Sequence, residues 1–320
     1  MTFRLEEHWA WDSWLTDDGE NYHLFYLQAD RSLKDPQKRH HRASIGHSTS
    51  PNLEDWTHLP NALSASEGPA WDDLATWTGS TVQGPDGRWH LFYTGVSRAE
   101  DGLQQRIGSA VSNDLVSWTR SEQPPLEADA RWYEKLGNGT WPDEAWRDPF
   151  VFFDEDTNQW HMLITARAAT GDPAQRAVVG HAVSPDLENW DIQPPLSAPA
   201  GFGEMEVLQT HQVDGEFVLL FSCLPEYAPG MPASEHNTGT WIARGESILG
   251  PWDIEGGSPF FIPGIYATQL FRTRDGQWVL FGFGNSVDGE FTGEIIAPIP
   301  LTEVLDGQPI FPPVLNARHH

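Results

Sequence analysis

Aromatic and aliphatic residues fall along this chain in short runs of about eight positions, each broken by turn residues. Almost nowhere do they recur with the 3.6-residue period of a long helix. Five of the runs share one form, a turn followed by an aromatic-rich strand: DGENYHLFY, DGRWHLFYTG, NQWHMLITA, DGEFVLLFS and DGQWVLFGF. Asp-Gly before such a run is a strong hairpin signal. A second unit follows the first four: IGHSTSPNLEDW, IGSAVSNDLVSW, VGHAVSPDLENW and a degenerate IARGESILGPW. These end at Trp56, Trp118, Trp190 and Trp252.

Units of about 60–70 residues with roughly four short strands each are propeller blades by strand count and length. The expected fold is therefore all-β, a single five-bladed β-propeller over residues 1–320 with no C-terminal β-sandwich. An all-β sandwich with internal similarity is the competing architecture. The recurrent tryptophans are expected to pack between blades, since they stand late in each blade and away from the axis.

Composition narrows the partners. With 19 Lys+Arg against 46 Asp+Glu, the formal net charge is −27, which repels nucleic acid and anionic membrane surfaces. Most of that excess reads as solubility. Cys223 stands alone, so no internal disulfide is possible, and no apolar run approaches the roughly 20 residues of a membrane span. The N-terminus carries acids and no apolar h-region, which reads as no signal peptide and a cytoplasmic protein. His319 and His320 look like a tag remnant.

In a propeller the innermost strand of each blade lines the axis. Reading upstream from each hairpin gives WAWDSWLT, TWTGSTVQ, AWRDPFVFF, EMEVLQTHQ and IYATQLFRT. Three place acids at the entry: Asp12, Asp148, and Glu204 with Glu206. A single buried acid is commonly a structural partner of an arginine; three converging on one channel raise one another's pKa and point to function.

Those segments carry a resemblance. Trp11-Asp12-Ser13-Trp14 resembles the nucleophile motif of glycoside hydrolase family 68, the levansucrase and inulosucrase family, and Trp146-Arg147-Asp148-Pro149 is similar to the R-D-P motif shared with family 32. Trp77-Thr78-Gly79-Ser80 resembles a W-S-G-S segment of the substrate pocket. Glu204-Met205-Glu206 resembles the segment whose second glutamate is the general acid. The resemblance implies a retaining β-furanosidase acting on a β-fructofuranoside by hydrolysis or fructosyl transfer. It makes Asp12 the nucleophile, Glu206 the acid/base and Asp148 the transition-state stabiliser, with Trp11, Trp77, Ser80, Arg147 and Glu204 binding substrate. Trp9 is a further candidate for the pocket wall. The leaving-group side departs from family 68: Val207-Leu208 replaces its Arg-Pro, and no arginine stands near Cys223-Leu224-Pro225. An inverting arabinofuranosidase or xylosidase of the family 43 type is the alternative enzyme, and a carbohydrate-binding propeller the non-enzymatic one.

Weaker signals complete the reading. Asp30 to His41, with Arg31, Lys34, Lys38, Arg39, His40 and His41, is a basic stretch expected to be a solvated loop, or else a rim contact to substrate or a second subunit. Trp132, Tyr133 and Trp141, ahead of the R-D-P strand, are either loop packing or a sugar subsite. Residues 225–240 read as a flexible pocket edge. No metal site is expected, because the thirteen histidines show no H-x-x-x-H or Cys/His cluster. No cofactor is expected either, since neither a phosphate loop nor a serine elbow is present.

Overall fold

The computed structural model describes residues 2–228, 239–260, 262, 264–285 and 290–304. Most of the expected pocket edge at 225–240, and both C-terminal histidines, lie outside the described residues. The strands form five antiparallel sheets, and each runs outward in sequence order. Blade 1 is β1 (His8–Asp17), β2 (Tyr22–Asp30), β3 (Ser44–Ser50) and β4 (Thr57–Leu63); blade 2 is β5 (Ala75–Gln83), β6 (Trp89–Val96), β7 (Gln105–Ser112) and β8 (Thr119–Arg120). Blade 3 is β9 (Trp146–Asp154), β10 (Gln159–Arg167), β11 (Ala177–Ser184) and β12 (Asp191–Gln193). Blade 4 is β13 (Glu206–Val213), β14 (Glu216–Cys223), β15 (Gly239–Gly245) and β16 (Ser258–Phe260). Among the described residues blade 5 has three strands: β17 (Ile265–Arg272), β18 (Trp278–Gly284) and β19 (Ile299–Pro300). This is the expected five-bladed propeller, and the five innermost strands are the five read from the sequence.

The repeating tryptophan turn has a physical basis. In each of the first three blades a serine bonds an Asx side chain two residues on (Ser50–Asn52, Ser112–Asp114, Ser184–Asp186), and that side chain accepts two following backbone N–H groups. Short polar side chains favour such turns because they replace backbone hydrogen bonds locally. The next residue, Leu53, Leu115 or Leu187, takes φ of 64°, 60° or 67°. The tryptophan then turns inward; Trp118 and Trp190 donate Nε1–H to the Leu115 and Leu187 carbonyls.

These rings pack across blade boundaries, as expected. Trp118 meets Phe25 of blade 1 edge-on at 5.9 Å, and Trp190 meets Phe92 of blade 2 at 5.4 Å. The ring of blades closes between the fifth and the first. Arg274 of blade 5 forks onto Asp17 at 2.6 Å and lies over Tyr22 at 4.1 Å, while Phe3 bridges to Ile295. Closure leaves few strand edges open to water. Among the described residues no helix is long and apolar enough to cross a membrane.

Candidate active site

Every innermost strand breaks its pairing once, at the same depth: between Trp11 and Ser13, between Trp77 and Gly79, at Asp148-Pro149, after Glu206 and after Tyr266. A β-bulge frees a residue from the ladder and re-aims its side chain. The freed residues are Asp12, Thr78, Asp148, Val207 and Ala267 with their neighbours. Asp148, Val207 and Ala267 adopt φ of 56°, 51° and 46°, a conformation that side chains disfavour and that concentrates at functional sites. Five bulges at one level thus turn the start of the channel into a cup.

Arg147 occupies the centre of that cup. Its Nη2 donates to Glu206 Oε1 at 2.8 Å and to Glu204 Oε2 at 3.2 Å, its Nη1 to Gln105 Oε1 at 3.3 Å, and its Nε lies 3.6 Å from Asp148 Oδ2. The other oxygen of Glu206 accepts the Tyr266 hydroxyl at 2.6 Å. Asp12 accepts from Thr78 Oγ1 at 2.6 Å, and Asp148 Oδ2 accepts from Thr165 Oγ1 at 2.9 Å. The Asp148 backbone N–H donates to Thr94 Oγ1 at 2.9 Å. Charge-assisted bonds of this kind fix orientation as well as energy.

The electrostatics follow from burial and crowding. Asp12 is pushed up to about 6, first by burial; the Thr78 bond and the Arg39 charge oppose this, while Glu206 adds to it. Asp148 rises to about 7 for the same first reason, with Arg147 holding it down and Glu206 and Asp12 pushing it up. Burial, then the Glu206 charge, drives Glu204 well above the usual carboxylate range. Burial also raises Asp143, whose charge is felt by Arg147. Five carboxyls therefore share two buried cations, Arg147 and Arg39, and part of the group retains protons near neutrality.

The acids expected from the sequence converge, as do Arg147 and Glu204. Trp77 lies at the cup, half-buried, with its Nε1–H donating to the His40 carbonyl at 2.7 Å. Trp11 is fully buried beneath the Arg39 guanidinium, 5.4 Å from its ring. Ser80 Oγ accepts the Val151 N–H of blade 3 at 3.1 Å. Ser80 lines the axial cavity together with Thr78, Asp148, Phe150, Gln209 and His211. Trp9 sits in the seam between blades 1 and 5, against Phe291 and Arg31.

The basic stretch also departs from a solvated loop. It forms two short 3₁₀ segments, Arg31–Leu33 and Pro36–Arg42. Arg39 is 7% exposed, lies 4.0 Å above the Phe291 ring and faces Asp12. Burial takes His40 down to about 3, so it stays neutral. The aromatic loop divides: Tyr133 is core, its hydroxyl bonded to the Gln193 carbonyl, whereas Trp141 lies half-buried over Arg167 at 3.9 Å and beside Tyr227 at 4.9 Å.

Arg39 entered the sequence reading only within the basic stretch and Thr78 only within the Trp77–Ser80 segment, while Thr94, Thr165 and Tyr266 were not singled out. A signal existed for two of them, because Thr94 and Thr165 hold the same place in RWHLFYT and QWHMLIT. Among the described residues no set of three or more His, Cys, Asp or Glu is arranged to hold a metal ion.

Comparison with known proteins agrees with this geometry. The glycosyl hydrolases family 32 N-terminal domain matches residues 13–293. A fructan 6-exohydrolase of Beta vulgaris is 28% identical over 188 residues, covering 58% of this chain but 28% of that protein. The match thus spans less than a third of that relative. In fold the chain is similar to an inulosucrase of Halalkalicoccus jeotgali bound to kestose, at TM-score 0.70 and 24% identity, covering 89% of this chain and 78% of that one. It is also similar to a family 32 β-fructofuranosidase of Bombyx mori, at TM-score 0.69 and 22% identity, covering 95% and 65%. With that domain matched over most of its length, the chain belongs to glycosyl hydrolases family 32.

Proposed function

We propose that this chain cleaves β-fructofuranosides with retention of configuration, passing the fructosyl group to water or to a sugar hydroxyl. The observation that carries the reading is the setting of Glu206. One oxygen is held by Arg147 and the other by Tyr266, in the same cup as a half-buried Asp12 that feels its charge.

A retaining glycosidase needs two carboxyl groups in different roles. Asp12 is the nucleophile: its carboxylate attacks the anomeric carbon as the bond to the leaving oxygen breaks. Glu206 supplies the proton that the leaving oxygen takes up. Water or an acceptor hydroxyl then gives a proton back to Glu206 and attacks the same carbon, which releases Asp12. Asp148 and Arg147, fixed by Thr165, Thr94 and Gln105, face the positive charge and the hydroxyls of the ring in the transition state. The named activities of the relatives, fructan exohydrolysis, fructofuranoside cleavage and inulosucrase chemistry, all concern fructosyl groups. They support a small fructoside or oligosaccharide as substrate.

The test is a screen of β-fructofuranosides and related oligosaccharides with the wild type and Asp12→Ala. Turnover by the wild type and its loss in the variant are expected. A wild type inert on every furanoside, or an unaffected variant, would overturn the reading.

A further inference from the structure

The segment that covers Trp11 has a second face. In antiparallel blades, the connection from the second strand to the third lies at the end where the innermost strand begins. In this chain that is the carboxylate face. In blade 1 this connection carries Pro36–Arg42, and in blade 2 it carries Arg98–Glu100. A cavity opens between them, lined by Lys38, His41, Arg42, Arg98 and Asp101 over the buried Leu74. Its wall is close-fitting: a Cβ on Gly102 would come 3.2 Å from both His41 Nε2 and Leu74 Cδ2.

The charges in this cavity are unspent. Acids outnumber bases 46 to 19, and neighbouring Arg106 shows the usual result, gripping Glu100 at 2.6 Å and Glu127 at 2.7 Å. Among the described residues, no carboxylate stands within ion-pair distance of Lys38, Arg42 or Arg98. The one side-chain bond these three make is from Arg42 Nη1 to the His41 carbonyl at 3.2 Å. Three cations and one acid, Asp101, line the cavity, with the Asp73 carboxylate accepting the Arg98 backbone N–H at 2.8 Å, and they form a positive ledge on a chain of net charge −27.

The surrounding field repels extended polyanions, whereas a compact dianion can reach the ledge. Arginine forks match phosphate oxygens two at a time. Arg39 and His40 of the same short helix touch Trp11 and Trp77, so one segment both lines the cavity and packs against the strands that carry Asp12 and Thr78. We propose that this ledge is an anion site for a phosphate group, either free or borne by the sugar that leaves the furanoside pocket. The substrate-borne form rests on the furanosidase reading; the binding itself does not.

Titration calorimetry with inorganic phosphate at low ionic strength tests the site without turnover. The wild type should bind at millimolar concentration or tighter. Lys38→Gln/Arg98→Gln should bind about tenfold more weakly, in keeping with lost charge-assisted bonds, with the binding strength falling as salt screens it. Lys34→Gln, on the same segment but outside the cavity, should bind as the wild type does. No phosphate binding, or equal loss in the Lys34 variant, overturns the proposal. A second arm compares KM for fructosides with and without phosphate on the leaving sugar. A lower KM for the phosphorylated form, lost in the double variant, assigns a substrate-borne group; phosphate binding without such preference assigns the free anion. If no fructoside is turned over, the furanosidase reading fails while the binding arm still stands.

Discussion

Replacing Thr78 with valine removes one hydroxyl and keeps the shape of the side chain, which isolates its hydrogen bond to Asp12. That bond is 2.6 Å long and reaches a partly buried carboxyl. A hydrogen bond to a charged group contributes about 1.5–3 kcal/mol, and about 1.4 kcal/mol corresponds to one pH unit in a pKa. The hydroxyl favours the ionised form, so its loss raises the Asp12 pKa from about 6 by about one unit or somewhat more. A nucleophile must be ionised, and its active fraction is lost as pH falls through that value. The acid limb of kcat/KM should therefore move from near 6 to roughly 7 or above in Thr78→Val. Activity should be roughly tenfold lower on the acid side and should recover toward wild type in mild alkali. Thr78→Ser, which keeps a hydroxyl, should restore the limb. The assay is initial-rate kcat/KM across pH on a fructofuranoside that the wild type cleaves. An unmoved limb, or one displaced to lower pH, would refute the assignment of Asp12 as the ionised nucleophile.

Three further outcomes follow from the same contacts. Asp12 titrates near 6 when folded against 3.8 as its ordinary value, so its carboxylate opposes folding above that range. Asp12→Asn should stabilise the fold against denaturant near neutrality by about 3 kcal/mol at most, the gain shrinking as pH falls from about 6 to about 4; a variant less stable than wild type at neutral pH contradicts this. Ser80→Ala should cost about 1–2 kcal/mol of stability by orphaning the Val151 N–H with kcat/KM of the folded enzyme unchanged, and a large loss of activity would show that Ser80 also acts on substrate. Tyr266→Phe should lower kcat/KM roughly tenfold or more with little change in melting temperature, and full activity would mean that Tyr266 does not position Glu206.

The architecture was legible because it repeats. Hairpin, strand and tryptophan turn recur along the chain, and each piece has a local cause in Asp-Gly, Ser-x-Asx or an aromatic run. The acids were legible for the same reason, since Asp12, Asp148 and Glu206 occupy equivalent places in strands that share an axis. What escaped depends on contacts that no local pattern encodes. Arg39 and His40 sit in a stretch of charge that reads as solvated; it is Phe291 of blade 5 and Trp11 of blade 1, distant in sequence, that bury them. The partners of Thr78 and Ser80 turn on a single residue of register. A bulge at Thr78 reverses the side-chain alternation beyond it, so Thr78 meets Asp12 of blade 1 while Ser80 turns to blade 3. The basic ledge was visible as composition, but its cavity exists only because blade 2 brings Arg98 beside it.

The central claim is that Asp12 becomes covalently attached to the fructosyl group. Glu206→Gln, mixed with a fructofuranoside carrying an activated leaving group and quenched in acid, should accumulate that species, because attack needs no proton from residue 206 while release does need its base. Peptide mass mapping should then find one anhydrohexose on the Asp12 peptide and none in Asp12→Ala. An adduct on Asp148 or elsewhere, or turnover with inverted product configuration and no adduct, would contradict the account.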